Sequence, residues 1–462
     1  MTPNSSTASQ PPSGFSGNMA YIILISLVAA FGGFLFGYDV AVVSGAIGFL
    51  SKHFHLSAEL SGWAASSLLV GCTVGAMVGG SVGDRFGRRP SLVACALLFA
   101  ISAVFSAIPQ SSAAFAWARF AGGIAIGAAS MLSPLYIAEV APEKFRGRLV
   151  GLYQLAIVVG ILIVFFVNLQ IQRQGDETWN LQSGWRWMFA SLTIPALLFG
   201  VLLMFVPESP RWLLKSGRRD DAERVLVRMG GAENARLEIA RIDSALREET
   251  GHWKELFTTG YFRALMIGTL LAIFSQVSGI NAIMYFAPEI FKTAGAGTDS
   301  AFRQTVIVGV VNLVFTFVAL WLVDKAGRKP LLLVGTVAQI VALTFVGAMF
   351  HQGKSGMLLL GGILLFVAAF AMSTGPVTWI LNSEIFPTKL RARAMSVAVV
   401  CLWMADWVVT QTFPMLTKSV GSASTFWVYA GCSFLCVIYI ITLMPETKGR
   451  TLEEIEAGWK RK

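Results

Sequence analysis

Two ionisable side chains sit where water is scarce. Asp39 falls in the middle of a long apolar run near the N-terminus and Arg119 in another. Charged residues inside membrane-length apolar segments are costly, tend to pair with each other, and mark functional paths. Opposite in sign, these two can compensate one another. The chemistry open to them is proton binding: if Asp39 takes up a proton, Arg119 is released and a balance between two conformations can shift. A static ion pair that only ties two helices together is the plainer alternative.

A second group of charged residues recurs in short motifs between apolar runs. Asp84, Arg85 and Arg88 lie in GDRFGRRP (83–90), and Arg328 in its echo VDKAGRKP (323–330). Glu139 and Arg146 belong to EVAPEKFRGR (139–148), and Glu384 and Arg391 to EIFPTKLRAR (384–393). Glu208 opens PESPRW (207–212) and Glu446 opens PETKGR (445–450). The expected chemistry is inter-helix charge pairing at one membrane face, Glu139 with Arg146 and Glu384 with Arg391, which can hold a gate shut. Merely setting topology is the alternative.

Other reactive side chains form no constellation. The five cysteines sit singly in apolar runs without zinc or redox spacing and read as small core hydrophobes. The four histidines are scattered, and no Ser–His–Asp or metal-ligand set lies on the apolar runs. HQGKSG (351–356) lacks the first glycine of a phosphate loop, Ala348 standing in its place. No enzyme chemistry, metal or cofactor is expected.

The elements that must position these residues follow from composition. Of the 462 residues 55% are hydrophobic and only 13% charged, with mean hydropathy +0.66. A soluble domain carries about 25% charge, so soluble enzymes, nucleic-acid binders and disordered proteins are excluded. The net charge of +10 resides in short loops, as membrane topology requires, and implies no nucleic-acid partner. A membrane-crossing helix needs about 20 apolar residues. Twelve such runs are present, near 20–48, 60–82, 90–109, 113–137, 149–170, 185–206, 262–290, 302–323, 330–350, 357–382, 393–415 and 424–444. With both termini inside, 27 Lys and Arg lie on the inner face against six outside, so the positive-inside rule predicts N-in and C-in.

Residues 1–18 read as a Ser/Pro-rich disordered tail without a signal-peptide n-region. The segment 207–261, with ten basic and ten acidic residues, is predicted to be a cytoplasmic helical linker. Ser209 caps a short helix that starts at Pro210 and stops at Gly217. Ala222, Val225, Leu226 and Met229, then Ala235, Ile239, Ile242 and Leu246, recur at helical spacing. Gly71, Gly75, Gly79 and Gly83 recur every four residues and predict a smooth face for close helix contact.

The three motif pairs are offset by 240, 245 and 238 residues, so the chain is one six-helix unit repeated. Residues 19–206 form the first half and 262–444 the second, with 445–462 a cytoplasmic tail. Parallel six-helix halves enclosing a midplane site are a transporter plan.

At these residues the chain resembles the sugar porter family of the major facilitator superfamily. The resemblance runs over about residues 20–455 and rests on GYDVAVVSG (37–45), GDRFGRR (83–89), PESPRWLLKSGR (207–218), QVSGINAIMYFAPEIF (276–291), SEIFPTKLRARA (383–394) and PETKGRTLEEI (445–455), in that order. It implies an all-α fold of twelve transmembrane helices in two pseudo-symmetric halves, alternating access, and a sugar bound between the halves.

A sugar offers hydroxyls and one apolar face, so its pocket needs amides, which donate and accept without a buried charge, and aromatic planes. Gln276, Asn281 and Tyr285 lie on one run. At 100° per residue Gln276 and Asn281 share a side, within about 140°, and Gly279 between them can loosen the helix. A lone membrane amide can instead be helix-packing glue. The resemblance implies Phe36, Gln154, Gln276, Asn281, Tyr285, Asn312, Trp379 and Trp403 as pocket positions. Ser275 stands where many members have a glutamine, Leu402 where a polar residue often precedes the tryptophan, and Asp406 where relatives often have asparagine. Proton-coupled members resemble the chain at Asp39, where facilitators often have asparagine.

The expected function is proton symport of a monosaccharide, pentose or hexose, by a monomer in a bacterial inner membrane. A downhill facilitator of the same fold is the alternative, and a sugar receptor the third. A sugar receptor would be expected to carry long cytoplasmic extensions for signalling, and an 18-residue tail in front with under 20 residues behind argues for transport.

Overall fold

The computed structural model describes residues 18–142, 145–248, 253–354, 356–386, 390–448 and 454. Of the expected tails, 1–17, 449–453 and 455–462 therefore lie outside the described residues, as do the middles of the two EVAPEKFRGR-type motifs. Twelve stretches among the described residues are long and apolar enough to cross a membrane.

In the first half these are α1 (Met19–His53), α2 (Ala58–Phe86), α3 (Arg88–Ala107), α4 (Ser112–Val140) and α5 (Arg146–Gln172). A sixth crossing, Glu177–Met204, is assembled from α6 (Glu177–Trp179), α7 (Trp185–Ala190) and α8 (Thr193–Met204). Polar caps start several of them. Asn18 Oδ1 accepts from Tyr21 N at 3.0 Å, Ser57 Oγ from Leu60 N and Ser111 Oγ from Ala114 N, each satisfying a first-turn N–H that the helix itself leaves open.

The linker contains α9 (Pro210–Lys215) and α10 (Arg219–Glu248). Ser209 caps α9 as its sequence predicts, accepting from Trp212 N, and Gly217 follows at φ +76°. α10 bends at Gly231, φ +81°. Leu226, Ala235 and Ile239 close a small core of their own against Leu214. Met229 accepts from Asn18 N at 2.8 Å and Arg228 lies over the Tyr21 ring, so the linker is pinned beneath the start of α1.

The second half comprises α11 (Thr259–Val277), α12 (Ile280–Thr293), α13 (Thr298–Ala326), α14 (Arg328–His351), α15 (Met357–Met372), α16 (Thr374–Ile385), α17 (Arg391–Ser419) and α18 (Gly421–Thr442). Here two crossings are broken. The seventh stops at Val277 and restarts at Ile280, Gly279 taking the left-handed conformation (φ +85°, ψ 13°) that costs glycine nothing. The expected loosening is thus a full break. The tenth, read from sequence as one run, is broken at Ser373 (φ −128°, ψ −89°). Gly375 and Pro376 follow at once, and Pro376 fits in a first turn because no N–H is needed there.

α2 packs on α4 with almost no side chain between them. A Cβ on Gly71 or Gly75 would sit 2.1 or 2.2 Å from the carbonyl oxygens of Phe120 and Ile124. One on Gly123 or Gly127 would sit 1.9 or 2.1 Å from those of Leu68 and Cys72. The glycine stripe therefore serves contact between two helices of the same chain. Between the halves α2 packs on α17, α5 on α13 and α1 on α12.

Candidate substrate and proton site

Asp39 from α1 and Arg119 from α4 meet in the interior, 0% and 1% exposed at the side chain. Arg119 Nη1 donates to Asp39 Oδ1, and its Nη2 donates to the Asp39 carbonyl oxygen at 2.8 Å. The guanidinium also lies over the Phe189 ring, 5.2 Å from its centre. The grip leaves two buried atoms without a partner, Asp39 Oδ2 and Arg119 Nε. Small residues make the approach possible: a Cβ on Gly122 would stand 3.2 Å from Asp39 Oδ2 and 2.4 Å from Ser102 Oγ. An acid with one oxygen neutralised by a cation and the other free can bind a proton without displacing a neighbour.

The amide and aromatic groups gather around the break at Gly279. Asn281 Nδ2 donates to Gln276 Oε1 at 2.7 Å, and Gln276 Nε2 donates to Ser275 Oγ at 3.0 Å. The two amides meet because the helix is interrupted between them, not through the regular 100° spacing used to place them. Tyr285 Oη donates to Asp406 Oδ2 at 3.2 Å, and Thr410 Oγ1 to Asp406 Oδ1 at 3.1 Å. Phe36 of α1 and Trp403 of α17 face each other across the halves, ring centres 5.3 Å apart. The Trp403 Nε1 proton is buried without an acceptor. Gln154 on α5 and Trp379 on α16 are half-buried and Asn312 on α13 is buried; no side-chain hydrogen bond or ring contact among the described residues joins these three to the cluster.

The halves are shut together at the face away from the described chain ends. Arg173 donates to Asp299 at 2.6 Å, and Lys292 lies over the rings of Phe49 and Phe302. Ser66 Oγ donates to Gln411 Oε1 at 2.8 Å and Gln411 Nε2 to the Glu59 carbonyl oxygen. Glu289 of α12 rests where a Cβ on Gly48 of α1 would be.

At the opposite face the repeated motifs build one device twice. Gly87 (φ +101°) and Gly327 (φ +91°) make the turns before α3 and α14. Glu208 accepts from the backbone N–H groups of Arg88 and Arg89, and Glu446 from those of Arg328 and Lys329. A carboxylate over the open N–H groups of a helix start satisfies them and meets the positive end of the dipole. Burial pushes the Glu208 carboxyl above the usual range, more than its backbone donors pull it down. At Glu446 burial acts the same way, but four backbone hydrogen bonds outweigh it and the carboxyl lies below the usual range. Arg89 and Lys329 reach the last carbonyls of the neighbouring helices, those of Leu203 and Met204 and of Ile441 and Met444.

The expected pairing of Glu139 with Arg146 is corrected. Glu139 is held by Arg88, through Nε at 3.0 Å and Nη2 at 2.9 Å, while Arg146 is exposed at the start of α5. A buried guanidinium must be paired, and its planar fork fits a carboxylate two-pronged; Arg146 can be hydrated instead. Likewise Glu384 accepts from Arg328 Nη2 at 2.8 Å and from Thr447 Oγ1 at 2.6 Å, and Arg391 donates to the Phe386 carbonyl oxygen at 3.4 Å. Asp84 bridges Arg88 and Lys215 of the linker, both at 2.8 Å. Arg85 lies over the Phe86 ring.

The family model for sugar (and other) transporters matches residues 25–459. An arabinose–proton symporter of Bacillus subtilis is 46% identical over 446 residues, 96% of each chain. A D-xylose–proton symporter of Escherichia coli is 44% identical over 477 residues, again 96% of each. The partially occluded inward-open structure of the xylose transporter XylE from E. coli superposes with a TM-score of 0.85 at 42% identity, covering 94% of this chain and all of that one.

Proposed function

Because the chain belongs to the sugar porter family of the major facilitator superfamily, we propose that it carries a monosaccharide, a pentose or a hexose, across the plasma membrane together with a proton. It is an integral membrane transporter and not an enzyme. The reading for this chain's own residues rests on one observation above all: Asp39 is fully buried, neutralised through one oxygen by Arg119 and unpartnered at the other.

In this reading a proton added to Asp39 Oδ2 removes the charge that holds Arg119, and the α1–α4 contact weakens. The sugar is held between Phe36 and Trp403 and by the amides of Gln276 and Asn281, with Gln154, Asn312 and Trp379 supplying further hydroxyl contacts. Tyr285 closes over it from α12. The halves 19–206 and 262–444 rock about that site, with 207–261 as the linker. The Glu208–Arg88–Glu139 and Glu446–Arg328–Glu384 clusters, with Asp84, tie helix ends on the inner face. Both termini are cytoplasmic by the basic-residue asymmetry, and one chain is the working unit.

The test uses purified protein in liposomes, an inward proton gradient, and labelled pentoses and hexoses. Uphill uptake that collapses with a protonophore and is lost in Asp39→Asn, while sugar exchange continues, supports the reading. Accumulation that survives Asp39→Asn sinks the coupling assignment, and equilibration without accumulation in the wild type makes the chain a facilitator.

A further inference from the structure

We propose that Asp406 is a second proton-binding site, and that the half-helix α12 responds to its charge through Tyr285. The proposal rests on the coupled-transport reading above but concerns a carboxyl which that reading leaves idle.

Asp406 lies on α17 at 0% exposure, as deeply buried as Asp39. Their surroundings differ. Asp39 has a guanidinium; Asp406 has two hydroxyls, Tyr285 at 3.2 Å and Thr410 at 3.1 Å, the side-chain amide of Asn281, also on α12, and no cation among the described residues. The titratable groups facing it are Tyr285 from α12 and Cys72 from α2. Cys72 is within electrostatic reach of both Asp406 and Asp39, and Arg119 within reach of Tyr285. Glu59 of α2 lies towards the Lys418 end of α17, more than a turn from Asp406, its carbonyl oxygen accepting from Gln411 and its carboxyl within electrostatic reach of Lys418. Arg263 on α11 and Arg391, Arg393 and Lys418 on α17 stand at least a dozen residues along their helices.

A carboxylate taken out of water without a cation costs several kcal/mol, which three neutral donors do not return in full. The acid form avoids that cost. What encloses Asp406 is movable: α12 hangs from the left-handed Gly279, and its far end is closed against Gly48 of α1 through Glu289. Swinging α12 away withdraws the Tyr285 hydroxyl and admits water to the carboxylate. Shutting α12 is therefore easier with a proton on Asp406, and by reciprocity the proton favours the shut state. The balance is one O–H bond, formed with a proton from the side to which α12 opens as it shuts, and broken with the proton returned to that same side when α12 reopens, so no net proton crosses through Asp406. Asparagine at this place is neutral and shuts without a proton, so aspartate adds proton dependence to the gate.

The first measurement is an infrared pH titration of the full chain in liposomes, following the carbonyl band of protonated carboxyl groups. The expected result is a titrating band that Asp406→Asn removes, Asp406→Glu restores in shifted form, and Asp39→Asn retains. A titration unchanged by Asp406→Asn overturns the proposal. The second is exchange of labelled L-arabinose and D-xylose in the Asp39→Asn background. Exchange should slow about tenfold per pH unit above its midpoint, as a single proton requires, and become flat in Asp39→Asn/Asp406→Asn. A profile that is already flat, or that stays steep in the double variant, also overturns it. Uphill accumulation by Asp39→Asn would count against the coupling reading alone, since the band is read without sugar or gradient.

Discussion

Arg88 grips Glu139 through two nitrogens, at 2.9 and 3.0 Å, with both side chains only 5% exposed. The equivalent pair in the second half, Arg328 and Glu384, is wetter at 13% and 22%. Removing one partner of a buried pair costs about 3–5 kcal/mol, largely through the charge left behind. Arg88→Ala should therefore lower the melting temperature of the detergent-solubilised protein by several degrees, and by more than Arg328→Ala. Equal losses would mean that burial is not what sets the cost.

Arg119 holds Asp39 by both its carboxylate and its carbonyl oxygen. Lysine keeps the charge but has no planar fork. Arg119→Lys is expected to cut proton-driven uptake at least tenfold while leaving the protein folded. Arg119→Gln leaves Asp39 buried alone, and adding Asp39→Asn to it should recover part of the lost stability and exchange. A double variant as impaired as the sum of the singles would argue against direct compensation.

Gly279 combines φ +85° with a Cβ position only 2.5 Å from the Tyr429 ring. Alanine there carries about 1–2 kcal/mol of backbone strain besides the collision. Gly279→Ala should slow uphill uptake and exchange by the same factor, since it hampers the movement of α12 and leaves the proton sites intact. Loss of uptake alone would contradict that assignment.

Glu208 and Glu446 give opposite dependences on pH. Burial raises the folded-state value at Glu208, so the fold binds more protons there than the unfolded chain, and stability falls as pH rises from the unfolded value through the folded one. At Glu446 burial is outweighed and the folded value is lowered. Its contribution is present above the unfolded value and is lost as pH falls through the folded one. In melting scans at mildly acid pH, the stability difference between wild type and Glu208→Gln should shrink with rising pH, and that for Glu446→Gln should grow. Slopes of the same sign would refute the contrast.

Much of this was legible in the chain because a bilayer leaves few choices. Apolar runs of membrane length marked the crossings, and Asp39 and Arg119, opposite charges 80 residues apart on two of those runs, could compensate each other. The repeat placed Glu208 and Glu446 in equivalent positions. What escaped was decided by packing. Glu139 had two arginines within reach, and only the third dimension selects Arg88. The break at Ser373 had a local signal, Gly375–Pro376, that lay hidden inside an even apolar run. Asp406 stood out in sequence, but its donors come partly from α12, 121 residues away, and no spacing rule joins them.

The fit of α2 against α4 is so close that four glycines leave no room for a single methyl group. Two helices joined backbone to backbone cannot slide or twist separately, so α2 and α4, with Arg119 aboard, turn as one beam. The second half has joints at Gly279 and Ser373 beside its site. In the proposed rocking of the halves, the first therefore turns as a stiff block, while the second can also bend at its joints.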